Sequence, residues 1–360
     1  MELRQFACKN CGGDLEFGPG TEALVCPYCG VENRIGADEP AAGEMDFNAA
    51  VRALEGQVET VETITAKCSN CAAETNLPPD VMSDSCAFCG SPVVLEGASM
   101  RSIKPQSLLP FKVTDSEAQQ AFRKWLQGRW FAPGDLKKHS GSARGLTGMY
   151  IPHWTYDART ISAYTGRRGT HYYTTRTYTA TVNGKPQTRT RQVRQTSWHP
   201  TSGRVYVDFD DVLVEASTSL PEIHRPSVGE DALQRLVPYA DEYLAGFLTE
   251  HYTVGLEDGF KIATTKMAPR IDQAIRSDIG GDEQRVTSKD TRYFDVTYKH
   301  ILLPIWISSY QFGGKTYQFT VDAETGHVQG ERPYSKIKIA MTILAVILFI
   351  VLIVVLTQGG

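Results

Sequence analysis

The sequence predicts an α+β chain with two cysteine-rich N-terminal modules and one C-terminal transmembrane helix. Three observations carry that prediction. All eight cysteines lie before residue 90, in four Cys-x-x-Cys pairs. Residues 98–335 mix helix-period stretches with longer period-two stretches, the mark of an α+β region rich in antiparallel sheet. Ile339 to Leu356 carry no charge, no Pro and no Gly. The expected division is therefore module 1 over 1–36, an acidic linker over 37–60, module 2 over 61–97, the α+β region over 98–335 and the terminal helix over 336–357.

The pairs are Cys8/Cys11, Cys26/Cys29, Cys68/Cys71 and Cys86/Cys89, so Cys-x2-Cys-x14-Cys-x2-Cys occurs twice. Each Cys-x-x-Cys turn presents two thiolates side by side, and a short hairpin brings a second pair opposite them. That is the tetrahedral four-sulfur arrangement of a structural zinc ribbon. Gly12, Gly30 and Gly90 follow their cysteine pairs where a left-handed backbone is often needed, whereas Ala72 departs from the pattern. A rubredoxin-type iron site and a redox dithiol are the alternatives, although a redox motif is more often single and set at a helix start. The reading is two structural Zn²⁺ ions held by these eight cysteines, with no position left open for substrate.

Between the modules and into the start of the second, Asp38, Glu39, Glu44, Asp46, Glu55, Glu59 and Glu62 stand against Arg52 alone. Phe47, Val51 and Leu54 have helical spacing, so a short amphipathic helix is expected there. In the α+β region, Asp115–Gln127 reads as a helix with an acidic start, followed by helical stretches over 229–252 and 257–278. Strands over 175–182 and 188–198 flank the hairpin signal Asn183-Gly184. A meander is expected over 284–299, 303–312, 315–322 and 327–329. Tyr150-Ile-Pro-His-Trp154 and Leu303-Pro-Ile-Trp306 echo one another, as two related lobes would.

Composition excludes little by itself. The net charge of −4 gives no general affinity for nucleic acid, but the distribution is uneven. From Ala158 to Val207 there is no Asp or Glu, and Arg159, Arg167, Arg168, Arg176, Lys185, Arg189, Arg191, Arg194 and Arg204 are interleaved with Tyr164, Tyr172, Tyr173, Tyr178 and Trp198. Such a run suits an anionic lipid surface, single-stranded nucleic acid or an ordinary solvated sheet face.

Nothing supports catalysis. Gly313-Gly314-Lys315-Thr316 lacks the first glycine of a phosphate-binding loop, since position 309 is serine, and a strand rather than a helix follows it. It reads as a hairpin turn. The eight histidines are scattered singly and read as structural or surface residues.

The eighteen uncharged, nearly all apolar residues Ile339–Leu356 make about 27 Å of helix, close to the ~30 Å hydrocarbon core of a bilayer. Arg332, Lys336 and Lys338 flank the start of that run, which predicts a single-pass cell-membrane protein with its N-terminus in the cytoplasm.

The layout of CKNCGG…CPYCG, CSNCAA…CAFCG, MYIPHWTYD, LLPIWISSYQFGGKTYQF and a terminal apolar run resembles the bacterial membrane-anchored double zinc-ribbon proteins. These are of the transcription-factor-IIB ribbon type and are encoded beside SPFH (flotillin-like) and phage-shock-protein-A-like proteins. The resemblance implies a non-catalytic membrane scaffold that recruits one of those partners. A nucleic-acid-binding ribbon protein, of the kind associated with transcription or with primosomes and helicases, is the alternative.

Overall fold

The structure is a computed structural model. It describes residues 6–36, 43–54, 60–67, 74–76, 83–85, 92–94, 98–133, 145–182, 185–220, 229–313 and 315–358, with the backbone alone for 60–102. A three-stranded antiparallel sheet of β1 (Glu16–Phe17), β2 (Ala23–Val25) and β3 (Glu32–Arg34) lies at the N-terminus. Then come β4 (Met45–Asp46), α1 (Phe47–Leu54), β5 (Thr60–Lys67), β6 (Glu74–Asn76), β7 (Ser83–Ser85), β8 (Pro92–Val94), β9 (Ala98–Ile103), β10 (Ser107–Leu108) and α2 (Asp115–Gln127). The body continues with β11 (Thr147–Val182), β12 (Lys185–Glu215), α3 (Glu230–Leu233), β13 (Val237–Pro238), β14 (Leu248–Glu250) and α4 (Leu256–Ile279). It ends with β15 (Glu283–Phe312), β16 (Lys315–Asp322), β17 (Val328–Gly330) and α5 (Lys336–Gln358).

Sheet dominates, so the α+β expectation is corrected to a mostly-sheet fold. The helix expected over 229–252 is only the four residues of α3, a 3-10 turn at Asp241–Leu244 and two short strands. Pro238 has no amide proton to continue a helix there, and Gly246 sits at φ +87°, outside helical space. The meander also differs, because 284–299 and 303–312, expected as two strands, belong to one 30-residue strand over Glu283–Phe312.

Strands β12, β11 and β15 lie side by side as the spine of a 12-stranded sheet. Asp211 and Asp295 bulge out of the two outer strands on either side of the same β11 stretch, each at φ +49°. Aspartate tolerates that left-handed conformation better than most residues. On one face α4 buries Ala263, Met267, Ile271, Ile275 and Ile279 against Tyr156, Tyr164, Val205 and Phe209. A second core joins α2 to Phe111, Tyr150, Trp306 and Phe319.

The sequence echo acquires a physical meaning within this one sheet. Its two copies are paired neighbours, Tyr150 opposite Pro304 and Gly148 opposite Trp306, rather than two separate lobes. Trp154 Nε1 donates to the Val254 carbonyl and Trp306 Nε1 to the Val113 carbonyl, at 2.8 Å each. Each valine immediately precedes the N-cap of a helix, Gly255 of α4 and Thr114 of α2. The match extends to the backbone. Ala216 donates to Pro152 and accepts from Thr253 and Val254, while Ala323 donates to Pro304 and accepts from Lys112 and Val113.

Helix α5 forms where the apolar run predicts one. Among the described residues, however, no helix is long and apolar enough to cross a membrane. The expected C-terminal span is corrected accordingly. The cell-membrane location, the single-pass topology and the cytoplasmic N-terminus rested on that span and fall with it.

Candidate metal centre

Cys8, Cys11, Cys26 and Cys29 converge at the tip of the N-terminal sheet, with their four sulfurs all within 4.8 Å of one another. Two identical backbone turns bring them there. Gly12 N–H donates to the Cys8 carbonyl and Gly30 N–H to the Cys26 carbonyl, both at 2.9 Å. Cys8 N–H and Cys26 N–H reach forward to the carbonyls of Gly13 and Val31. The glycines at φ +75° and +72° adopt the left-handed conformation that closes each turn, as the Cys-x-x-Cys-Gly pattern predicts.

The sulfur spacing suits a single ion. Cys8 Sγ lies 3.6 Å from Cys29 Sγ, and Cys11 Sγ lies 3.5 Å from Cys26 Sγ. A tetrahedron with ~2.3 Å metal–sulfur bonds has edges of about 3.8 Å. These four cysteines can therefore hold one metal ion with little rearrangement. The amide of Asn10 also donates to Cys8 Sγ at 3.4 Å.

Electrostatics make the thiols unequal. The Val31 amide, followed by Asn10, pulls Cys29 down to about 6. At Cys11 the Gly13 amide also lowers, but the neighbouring sulfurs of Cys26, Cys29 and Cys8, together with desolvation, push it up to about 12. Four thiolates this close repel one another, and a cation at their centre removes that cost.

The site is part of the body rather than an appendage. Cys8 and Cys26 are buried in the same core as Phe17, Leu24, Phe111 and Trp306. Phe17 packs between Tyr243 and Phe247, and its N–H donates to the Ala245 carbonyl. The other predicted ligands, Cys68, Cys71, Cys86 and Cys89, lie outside the described residues, as do Ala72 and Gly90.

A second cluster of potential ligands is acidic: Glu44, Asp157 and Asp210. The chain supplies its own cation here, since Lys299 Nζ lies 3.6 Å from Glu44 and 3.1 Å from Asp211. Burial, then the neighbouring Glu44, raises Asp157 to about 6, while Glu44 is lowered first by its hydrogen bond with Asp157.

Sequence reasoning missed that three of the scattered histidines meet. His153, His251 and His300 are each at most 5 % exposed. The His300 ring stands 4.7 Å from that of Trp154, and its Nδ1–H donates to the Ile103 carbonyl at 2.8 Å. Desolvation first, with His251 and His153 nearby, lowers His300 to about 4, so it is neutral at pH 7. The available signal was the apolar company of YIPHW and HILLPIW. The Gly313 segment is the expected hairpin turn, with Phe312 paired to Lys315.

No family model matches the chain, and no solved structure resembles it significantly. Among curated proteins, the chain is similar to the uncharacterized protein YdjG of Bacillus subtilis (strain 168). The two are 26% identical over 337 residues, which cover 93% of this chain and 92% of the relative.

Proposed function

We propose that this chain is a non-catalytic zinc-ribbon adaptor, a stapled sheet scaffold that docks a partner protein. The observation that carries the reading is the closed four-sulfur site at Cys8, Cys11, Cys26 and Cys29, built into the core of the body. A four-thiolate zinc site has no open position for water or substrate, so its contribution is rigidity. We assign zinc to this site and a second zinc to Cys68, Cys71, Cys86 and Cys89, which repeat the same spacing. The resemblance drawn from the sequence favours an SPFH (flotillin-like) or phage-shock-protein-A-like partner.

Affinity capture of the tagged full chain from its own cells, with and without nuclease, tests the reading. The adaptor predicts a partner of that class that survives nuclease and is lost from a Cys8→Ser/Cys11→Ser variant. A captured set that disappears with nuclease, or that ignores the cysteine changes, contradicts it.

A further inference from the structure

The β11–β12 hairpin outruns the rest of the sheet. Its third strand, β15, pairs with β11 only as far as Gly169 opposite Glu283. Beyond that point, among the described residues, β11 and β12 pair only with each other, from Thr170 opposite Ser197 to Val182 opposite Lys185. Thirteen residues per strand, at about 3.4 Å each, make a free two-stranded arm of roughly 44 Å.

Register gives this arm two unlike faces, because directly opposed residues point the same way. One face carries Tyr172 with Gln195, Arg176 with Arg191, Tyr178 with Arg189, and finally Lys185 near the tip. The other carries Thr175 with Gln192, Thr177 with Thr190 and Thr179 with Thr188, below Tyr173 with Arg194. The Arg/Tyr face continues the side of the sheet that packs on α4 and turns basic where that helix ends. At the root of the arm, Asp282 and Glu283 bind His171 and Thr196, on the threonine side.

The basic face is exposed and uncompensated. Arg176, Arg189 and Arg191 form no ion pair with any described residue. Arg176 directly opposite Arg191 is a like-charge pair, which destabilises a hairpin on its own. Arg191 lies over the Tyr178 ring at 5.5 Å, and the Tyr172 hydroxyl is held by Gln195 at 2.8 Å. Guanidinium groups held this way are forks for phosphate oxygens.

From this geometry we infer that the arm docks double-stranded nucleic acid, with its Arg/Tyr face on the phosphate backbone. A two-stranded β-ribbon is an element that the ~12 Å major groove of B-DNA admits. Arginines at alternate positions advance about 7 Å along the ribbon and can follow the phosphates lining that groove. A membrane surface fits less well. Interfacial binding draws on Trp, Phe and Leu, and residues 170–197 contain no Trp, Phe, Leu, Ile or Met. This inference is independent of the adaptor reading, which concerns the thiolate end of the chain.

The test measures binding of the full chain to a fluorescein-labelled DNA duplex, the matching single strand and phosphatidylserine-containing vesicles, across a salt series. The duplex should bind best, and Arg176→Gln/Arg189→Gln/Arg191→Gln should flatten the log-affinity against log-salt slope by about 2.7, at ~0.9 per phosphate contact. Thr177→Gln/Thr179→Gln/Thr190→Gln, on the opposite face, should leave the slope unchanged. Both variants alter only exposed arm residues, and matching circular dichroism checks that each is folded. Failure to bind the duplex at low salt overturns the inference. So does a preference for single strand or vesicles, or an equal loss in the threonine variant.

Discussion

The burial of His300 gives the body a pH dependence of definite sign. The residue is buried, donates through Nδ1 to Ile103, and has no described partner at Nε2. Its folded-state value is lowered from 6.5 to about 4. Between those limits the unfolded chain takes up a proton that the folded chain refuses, so stability is complete above pH ~6.5 and is lost as pH falls towards 4. At 1.36 kcal/mol per pH unit the loss is about 3 kcal/mol. Asp157 acts in the opposite direction, because its value is raised to about 6, and thiolate ligation weakens in acid as well. A difference measurement isolates His300. Urea unfolding of wild type and of His300→Asn, whose amide can still donate to Ile103, is followed at steps from pH 7.5 to about 4. The variant starts less stable because the ring is gone, but the gap should close by about 3 kcal/mol as pH falls. Parallel curves across that window would refute the reasoning.

Two further substitutions test the packing. A methyl group at Gly259, where α4 crosses the sheet, meets Trp154 Cδ1 at 2.9 Å and crowds the Tyr156 hydroxyl. Gly259→Ala should therefore cost about 1–3 kcal/mol by chemical denaturation, despite the better helix propensity of alanine. Trp154→Phe and Trp306→Phe each remove an indole donor from a valine carbonyl before a helix N-cap. Each loses about 1 kcal/mol of hydrogen bond plus a packing penalty, and equivalence of the two halves predicts similar losses.

The legible parts of the fold were those that local chemistry decides. The Thr114–Glu117 capping box and its acidic first turn set the start of α2. The 3.6-residue spacing set α1 and α4. Asn183-Gly184 and Gly313-Gly314 fell between paired strands, and Cys-x-x-Cys-Gly set the backbone of the described site. Strand continuity was not legible, because nothing local separates two strands of a meander from one 30-residue strand. Pro304 of the echo motif sits inside β15, opposite Tyr150. The 229–252 stretch had helical periodicity but was overridden by Pro238, Gly246 and pairing with β10 and β11. The histidine cluster was invisible because His153, His251 and His300 come from three distant segments that meet only in the folded sheet. The alternation of Arg189 and Arg191 with Thr188 and Thr190 was written in the sequence, but only the register shows which residues of the opposite strand share their faces.

Metal analysis of the purified full chain, wild type beside Cys26→Ser, tests the central claim most directly. Eight thiolates at four per site predict two zinc ions per wild-type chain. Cys26→Ser should retain one and lose the helical and sheet contacts of Phe17 as its end of the core loosens. Iron in place of zinc, or a metal content that Cys26→Ser leaves unchanged, would contradict the account.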